Sequence, residues 1–182
     1  MIFAATPIDG LFLIEADPAT DARGWFARIW CREEFERQGL DGAFVQSSLS
    51  FNERAYTVRG MHYARAPSRE AKLVAVVGGS AFDAIADLRE DSPTRGKVYT
   101  VELAASHPQL LYVPPQCAHG FLTLEAGTSI LYCMTQAYEP ELARSIHWRS
   151  PALGIGWPRT EGVTISEADR DAPALARVEQ SS

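Results

Sequence analysis

The groups in this chain that can move protons near neutral pH begin with four histidines, set among 23 carboxylates and six tyrosines. His62 lies in the run Val58–His62, and His119 in Pro115–Phe121. Imidazole titrates near neutral pH, so either residue has the chemistry of a general base or acid. Either one could equally order a strand edge or a turn through a carbonyl. His107, which precedes Pro108, and His147 have less company and are read as surface residues. Metal binding makes a more definite demand. A barrel that holds a metal on histidines needs His-x-His on one strand, because alternation aims positions i and i+2 at one ion. Two positions beyond His62 stands Ala64, so half of that pair is missing and no metal is expected. Nucleophilic catalysis finds no Gly-x-Ser-x-Gly elbow, and Gly78–Gly79 reads as a turn rather than a phosphate loop. Cys31, Cys117 and Cys133 are odd in number and far apart, without the spacing of a disulfide framework or a zinc knuckle.

Three further residues have a bland reading beside a chemical one. Ser166–Asp169 resembles a helix cap, with aspartate where glutamate is usual. Lys72 opens an apolar strand and could lay its stem along the surface. Arg23, within Asp21–Phe26, could belong to a turn. Taken singly, none of these residues identifies a function.

The elements that must position them are mostly strands. Lys72–Val77 and Ala81–Leu88 alternate and flank Gly78–Gly79, which predicts a hairpin. Val98–Leu103 and Ser129–Tyr138 predict two more strands. On the latter, Ile130, Tyr132, Met134, Gln136 and Tyr138 share a face. Asp83 and Asp87 share a face with Ala81 and Ile85, and an aspartate inside such a strand requires a partner or exposure. Helical signals are confined to Arg32–Gln38, stopped by Gly39, and a short segment over Ser166–Asp171. Many short strands joined by proline- and glycine-rich turns predict an all-β sandwich or small barrel. A chain of 182 residues predicts one domain over residues 1–182, with a polar tail fraying from about residue 175. The formal net charge of -6 argues against affinity for nucleic acid or an anionic membrane. No apolar run approaches the roughly 20 residues of a membrane span. Met1–Gly10 lacks a basic start and is interrupted by Asp9, so no signal peptide is read there and a cytoplasmic protein is expected.

Set in order, the fragments carry more than any one of them. Asp21-x-Arg23-Gly24-x-Phe26 is followed by Arg59–Tyr63, Lys72–Val74, Asp87–Arg89, Ser92–Thr94 and Pro114–Phe121. Then come Tyr132, Tyr138-x-Pro140, Ile146-x-Trp148, Gly156–Pro158 and Ile165-Ser166-x-x-Asp169. Over residues 7–175 this series resembles the dTDP-4-dehydrorhamnose 3,5-epimerase family of sugar-nucleotide enzymes. The resemblance implies a cupin-type jelly-roll barrel with a few short peripheral helices, a homodimer, and neither metal nor organic cofactor. It also implies a substrate, a nucleoside-diphosphate 4-keto-6-deoxyhexose, inverted at C-3, C-5 or both. By the same resemblance His62 is the base, Asp169 its orienting carboxylate, Tyr132 the acid on the opposite face, and Lys72 the cation near the ketone oxygen. His119 faces substrate, with Asp83 as its orienting partner. Arg23 and Arg59 match diphosphate ligands, and Tyr138 matches an aromatic that stacks on the nucleotide base. Phe26 and Gln46 fall among the substrate-binding positions. The residue types suit the chemistry, since a ketone acidifies neighbouring C–H bonds and an enolate needs fixed positive partners.

Departures from the family pattern fall away from these groups. Arg28 and Ala143 stand where glutamates are usual, Ser47–Leu49 replaces an Asp-Asn-His type run, Ala168 replaces a lysine and Gln116 a glycine. They bear on the nucleotide more than on the proton chemistry, leaving dTDP, CDP, GDP and UDP open. Two alternatives stand beside the epimerase: a non-catalytic cupin-like module that binds a sugar nucleotide, and a 3,4-ketoisomerase.

Overall fold

A computed structural model describes residues 1–176. Among the described residues, thirteen strands and two short helices follow one another. They are β1 (Ile2–Ala5), β2 (Phe12–Glu15), β3 (Ala19–Asp21), β4 (Gly24–Phe26), α1 (Arg32–Arg37), β5 (Gln46–Asn52), β6 (Val58–Ala64) and β7 (Lys72–Gly78). After them come β8 (Ser80–Asp87), β9 (Val98–Ala104), β10 (Gln109–Val113), β11 (Cys117–Thr123), β12 (Thr128–Met134), β13 (Ala143–Ser145) and α2 (Glu167–Arg170). One antiparallel sheet runs β1-β2-β10-β7-β12-β5, a second runs β13-β6-β11-β8-β9, and β3-β4 is a separate hairpin. The all-β, cupin-type barrel expected from the sequence is the architecture found.

Alternation explains how the layers form. On β7, Val74 and Val76 point between the sheets, where they meet Ala81, Ile85, Leu103, Phe121 and Ile130. Leu73 and Ala75 point the other way and pack against Phe35 of α1. On the far side, Val58, Ala84, Ala118 and Leu122 are covered by Ile146, Trp148, Leu153 and Trp157 from the C-terminal segment. The expected tail is tied down at its start: Leu175 donates its amide to Ser150 Oγ at 2.9 Å and packs on this layer. The remainder of the predicted tail, 177–182, lies outside the described residues.

Two predicted elements differ. Gly78–Gly79 does not close a hairpin, because β7 and β8 belong to different sheets and the turn carries the chain from one to the other. Gly79 has a φ of +70°, and a Cβ there would lie 2.5 Å from Thr128 Oγ1, so the crossing requires glycine. Local alternation does not reveal which neighbour a strand will choose. The strand over Ser129–Tyr138 ends at Met134, because the next two residues turn to bind the loop before β7. Thr135 Oγ1 accepts from the Ala71 amide at 2.9 Å, and Gln136 Oε1 accepts from the Arg69 amide at 2.9 Å.

Candidate active site

A cleft of about 640 Å³ opens at the end of the barrel where β6 and β12 finish and β7 begins. His62 and His119 are direct cross-strand partners on β6 and β11. Their alignment depends on an irregularity: His119 pairs with His62 but Phe121 pairs with Arg59, so β6 carries one extra residue across that interval. Arg59 and His62, three apart in sequence, therefore both face the cleft. Gly60 makes this possible. Its φ is +114°, and a Cβ there would stand 2.6 Å from Gly120 Cα.

Each histidine is backed by a carboxylate. His62 Nε2 lies 2.6 Å from Asp169 Oδ1, and the amide of Gly60 donates to Asp169 Oδ2 at 3.3 Å. Asp169 sits in the first turn of α2, where its own amide donates to Ser166 Oγ at 3.1 Å. The cap and the contact with His62 coexist, since the cap uses the backbone amide and leaves the carboxylate free. Burial raises the affinity of that carboxyl for a proton, but the hydrogen bonds from His62 and Gly60 outweigh it and hold Asp169 below its ordinary range. Asp169 is thus ionised and accepts, so the His62 Nε2 that faces it donates. His119 Nε2 hydrogen-bonds Asp83 Oδ1, and both residues are buried. Asp83 lies two residues along β8 from Ile85, the cross-strand partner of His119, within diagonal reach. The partner that a mid-strand aspartate required is His119.

The opposite wall belongs to the other sheet. Tyr132 on β12 faces His119 edge-on, with ring centroids 5.9 Å apart. Burial, reinforced by the negative charge of Asp83 and opposed by Arg59, holds the Tyr132 hydroxyl well above the ordinary phenol range, so it carries its proton. Lys72 pairs across β7 and β12 with Met134, two residues from Tyr132, and lies on the same wall. Arg59 Nε donates to Asn52 Oδ1 at 2.9 Å. Gln46 Oε1 accepts from the Tyr138 amide at 3.1 Å, and Tyr138 itself is exposed on the rim.

Two of the predicted residues stand elsewhere. Arg23 and Phe26 lie on the β3-β4 hairpin, outside the cleft of a single chain. Arg23 is paired with Asp21 and exposed, and Phe26 is 80% exposed. The cleft also holds charged groups that the sequence does not single out, Glu70, Glu139 and Arg144. Their only signal is position: Glu70 stands two residues before Lys72 and shares its side of an extended segment. Among the described residues no group of three or more His, Cys, Asp or Glu side chains is placed to hold a metal ion.

The fold and the cleft define a class: a two-sheet β-barrel enzyme with histidine–carboxylate pairs on one wall and a protonated phenol with an ammonium on the other. The family model of dTDP-4-dehydrorhamnose 3,5-epimerase matches residues 5–177, and the chain belongs to that family. The dTDP-4-dehydrorhamnose 3,5-epimerase of Sinorhizobium fredii is 36% identical over 178 residues, covering 98% of this chain and 91% of that protein. Among solved structures, the dTDP-6-deoxy-D-glucose-3,5-epimerase of Legionella pneumophila, in complex with dTDP-4-keto-L-rhamnose, is similar with a TM-score of 0.88. It is 33% identical and covers 98% of each chain. A 3′-monoepimerase from Streptomyces bikiniensis, in complex with dTDP-quinovose, is similar with a TM-score of 0.85 at 28% identity, covering 92% of this chain and 84% of that one. This chain is an isomerase that epimerises a sugar nucleotide in deoxysugar biosynthesis.

Proposed function

We propose that the substrate is a dTDP-4-keto-6-deoxyhexose, inverted at C-3 and C-5 by proton removal and return on opposite faces. The observation that carries this reading is the placement of His62 and Tyr132 on different sheets, across one cleft. A sugar ring held between those walls presents one face to the base and the other to the acid. His62 Nδ1 takes the proton from carbon, and the electron pair moves onto the C-4 oxygen to give an enolate. Lys72 and His119 are the cationic and hydrogen-bonding groups near that oxygen. The Tyr132 hydroxyl then delivers its proton to the opposite face. Each inversion leaves His62 with one proton more and Tyr132 with one fewer, and exchange with water through the open cleft restores both.

Arg59 serves the diphosphate, with a planar guanidinium suited to its oxygens. Gln46 and Tyr138 form the nucleotide edge. The relatives' dTDP ligands support dTDP over the other nucleotides left open by Arg28, Ser47, Ser48, Ala143 and Ala168. Arg23 and Phe26 act on the cleft of a second copy, in a homodimer. Exposed apolar side chains on β5 and β7, among them Leu49, Phe51 and Val77, supply a surface for that contact. The three free cysteines, Cys31, Cys117 and Cys133, fit the reducing cytoplasm.

The test is a panel of 4-keto-6-deoxy sugar nucleotides with different bases, each incubated with the protein in deuterated water. The expected result is deuterium at C-3 and C-5 of the dTDP substrate. Label at one carbon alone would assign a mono-epimerase, the reading favoured by the likeness to the 3′-monoepimerase. Binding without label in any substrate would overturn the assignment.

A further inference from the structure

Three cationic side chains line the cleft, and their surroundings differ. Arg59 is bonded to the neutral amide of Asn52, and Arg144 to the carbonyls of Glu141 and Ala143. Lys72 is ion-paired, with the carboxylate of Glu70. Both partners are mostly withdrawn from water, with side chains 18% and 11% exposed. A pair of this kind on an open surface contributes little, but a withdrawn one is costly to separate.

The backbone that carries Glu70 is held independently of the pair. The Ser68 hydroxyl donates to Gln136 Oε1 at 3.1 Å, the Arg69 amide to the same oxygen, and the Ala71 amide to Thr135 Oγ1. The Glu70 amide donates to Ser68 Oγ at 3.2 Å. Thr135 and Gln136 directly follow β12, the strand that bears Tyr132. The loop therefore brackets the carboxylate to the wall that carries the proposed acid. A lysine ammonium on four rotatable bonds gains fixed geometry only from such a partner.

We propose that Glu70 is a positioning residue for Lys72, holding its ammonium where negative charge develops on the carbonyl oxygen. The inference rests on the epimerase reading for its catalytic consequence, but the holding of Lys72 stands on the ion pair alone. Glu70 does not touch the reacting carbons in this scheme. Its effect passes through Lys72, so that the cleft meets the enolate with a donor already in place.

The experiment compares the wild type with Glu70→Gln, Glu70→Ala, Lys72→Met and the double variant Glu70→Gln/Lys72→Met. Deuterium incorporation gives kcat and KM, and 1H–15N spectra report the lysine ammonium groups. In Glu70→Ala, kcat is expected to fall roughly tenfold to a hundredfold, with KM changed less than about threefold. Glu70→Gln, which keeps an acceptor oxygen, retains part of that loss. In the Lys72→Met background, Glu70→Gln changes kcat by less than about twofold, because the two act as one unit. The spectra of the wild type show a protected ammonium signal that disappears both in Lys72→Met and in Glu70→Ala. Unchanged kcat in both Glu70 variants, or an equal loss with and without Lys72, would overturn the inference. So would an ammonium signal that persists in Glu70→Ala. If the wild type exchanged no deuterium, the epimerase reading would fail, while the ammonium signal would still decide whether Glu70 holds Lys72.

Discussion

At the scale of single residues, the two histidine–carboxylate pairs have the same chemistry and different exposure. The His62 side chain is 49% exposed, and its partner Asp169 has a second donor in the Gly60 amide. His119 is buried, and Asp83 Oδ2 has no hydrogen-bond partner among the described residues. Removing His119 therefore leaves a buried carboxylate without its one protein partner. His119→Ala is expected to lower stability by about 3–5 kcal/mol, read from denaturant unfolding. His62→Ala is expected to lower stability by less than about 1 kcal/mol while reducing deuterium incorporation by roughly 10²–10⁴-fold. A His62→Ala variant that turned over normally would remove the base from this scheme. Tyr132→Phe keeps the ring packed against the core and removes only the hydroxyl, so its loss falls on catalysis.

At the scale of elements, the β6 irregularity and the loop after β8 do separate work. A side chain at position 60 meets Gly120 and an unfavourable φ together. Gly60→Ala is expected to cost about 2–3 kcal/mol and to displace His62, so thermal stability and turnover fall in the same variant. Ser92→Ala, away from the cleft, is expected to spare turnover. The loop after β8 is organised by Asp87, which is fully buried and accepts from Arg89, Ser92 and Thr94. Burial works against its ionisation, yet those hydrogen bonds prevail and bring its pKa down to about 2. The unfolded chain takes up this proton first as pH falls, so the stabilisation is complete above about pH 4 and is lost as pH falls through about 2. Its size is on the order of 2 kcal/mol. Acid unfolding of Asp87→Asn should show a correspondingly flatter dependence between those values, measured by circular dichroism.

At the scale of the whole molecule, Arg23 and Phe26 set the question. They lie on a hairpin that belongs to neither main sheet, and the cleft of one chain is lined without them. If they serve a second copy, two inactive variants should rescue each other. Arg23→Ala and His62→Ala chains, unfolded and refolded together, form mixed dimers in which one of the two clefts has both an intact base and an intact partner hairpin. Activity is then expected to recover to about a quarter of the wild-type value. No recovery above either parent would place Arg23 outside the site. Sedimentation should show twice the mass of one chain, and Phe51→Glu should shift it toward the single chain by placing charge in the apolar surface.

Much of this protein is legible in the chain itself, because the signals involved are local. Two-residue alternation marks β7, β8 and β9, glycine and proline mark the turns, and Ser166 marks the start of α2. The alternation of β8 even shows that Asp83 must find a partner. The ordered series of motifs carries the family, since it samples both walls of the cleft. Other features depend on distance in space rather than position in sequence. Whether Gly78–Gly79 closes a hairpin or crosses between sheets is set by which strands offer the better apolar partners. That Arg59 and His62 face one cleft follows from a backbone irregularity that needs glycine at position 60, beside Gly120, which no period-two pattern encodes. Asp169 reaches His62 across 107 residues, and Thr135 and Gln136 fasten the loop that carries Glu70 to the end of β12. The chain determines which groups are available and which way each strand alternates. Packing decides which of those groups meet, because burial of the two sheets against each other sets distances that local preference leaves free.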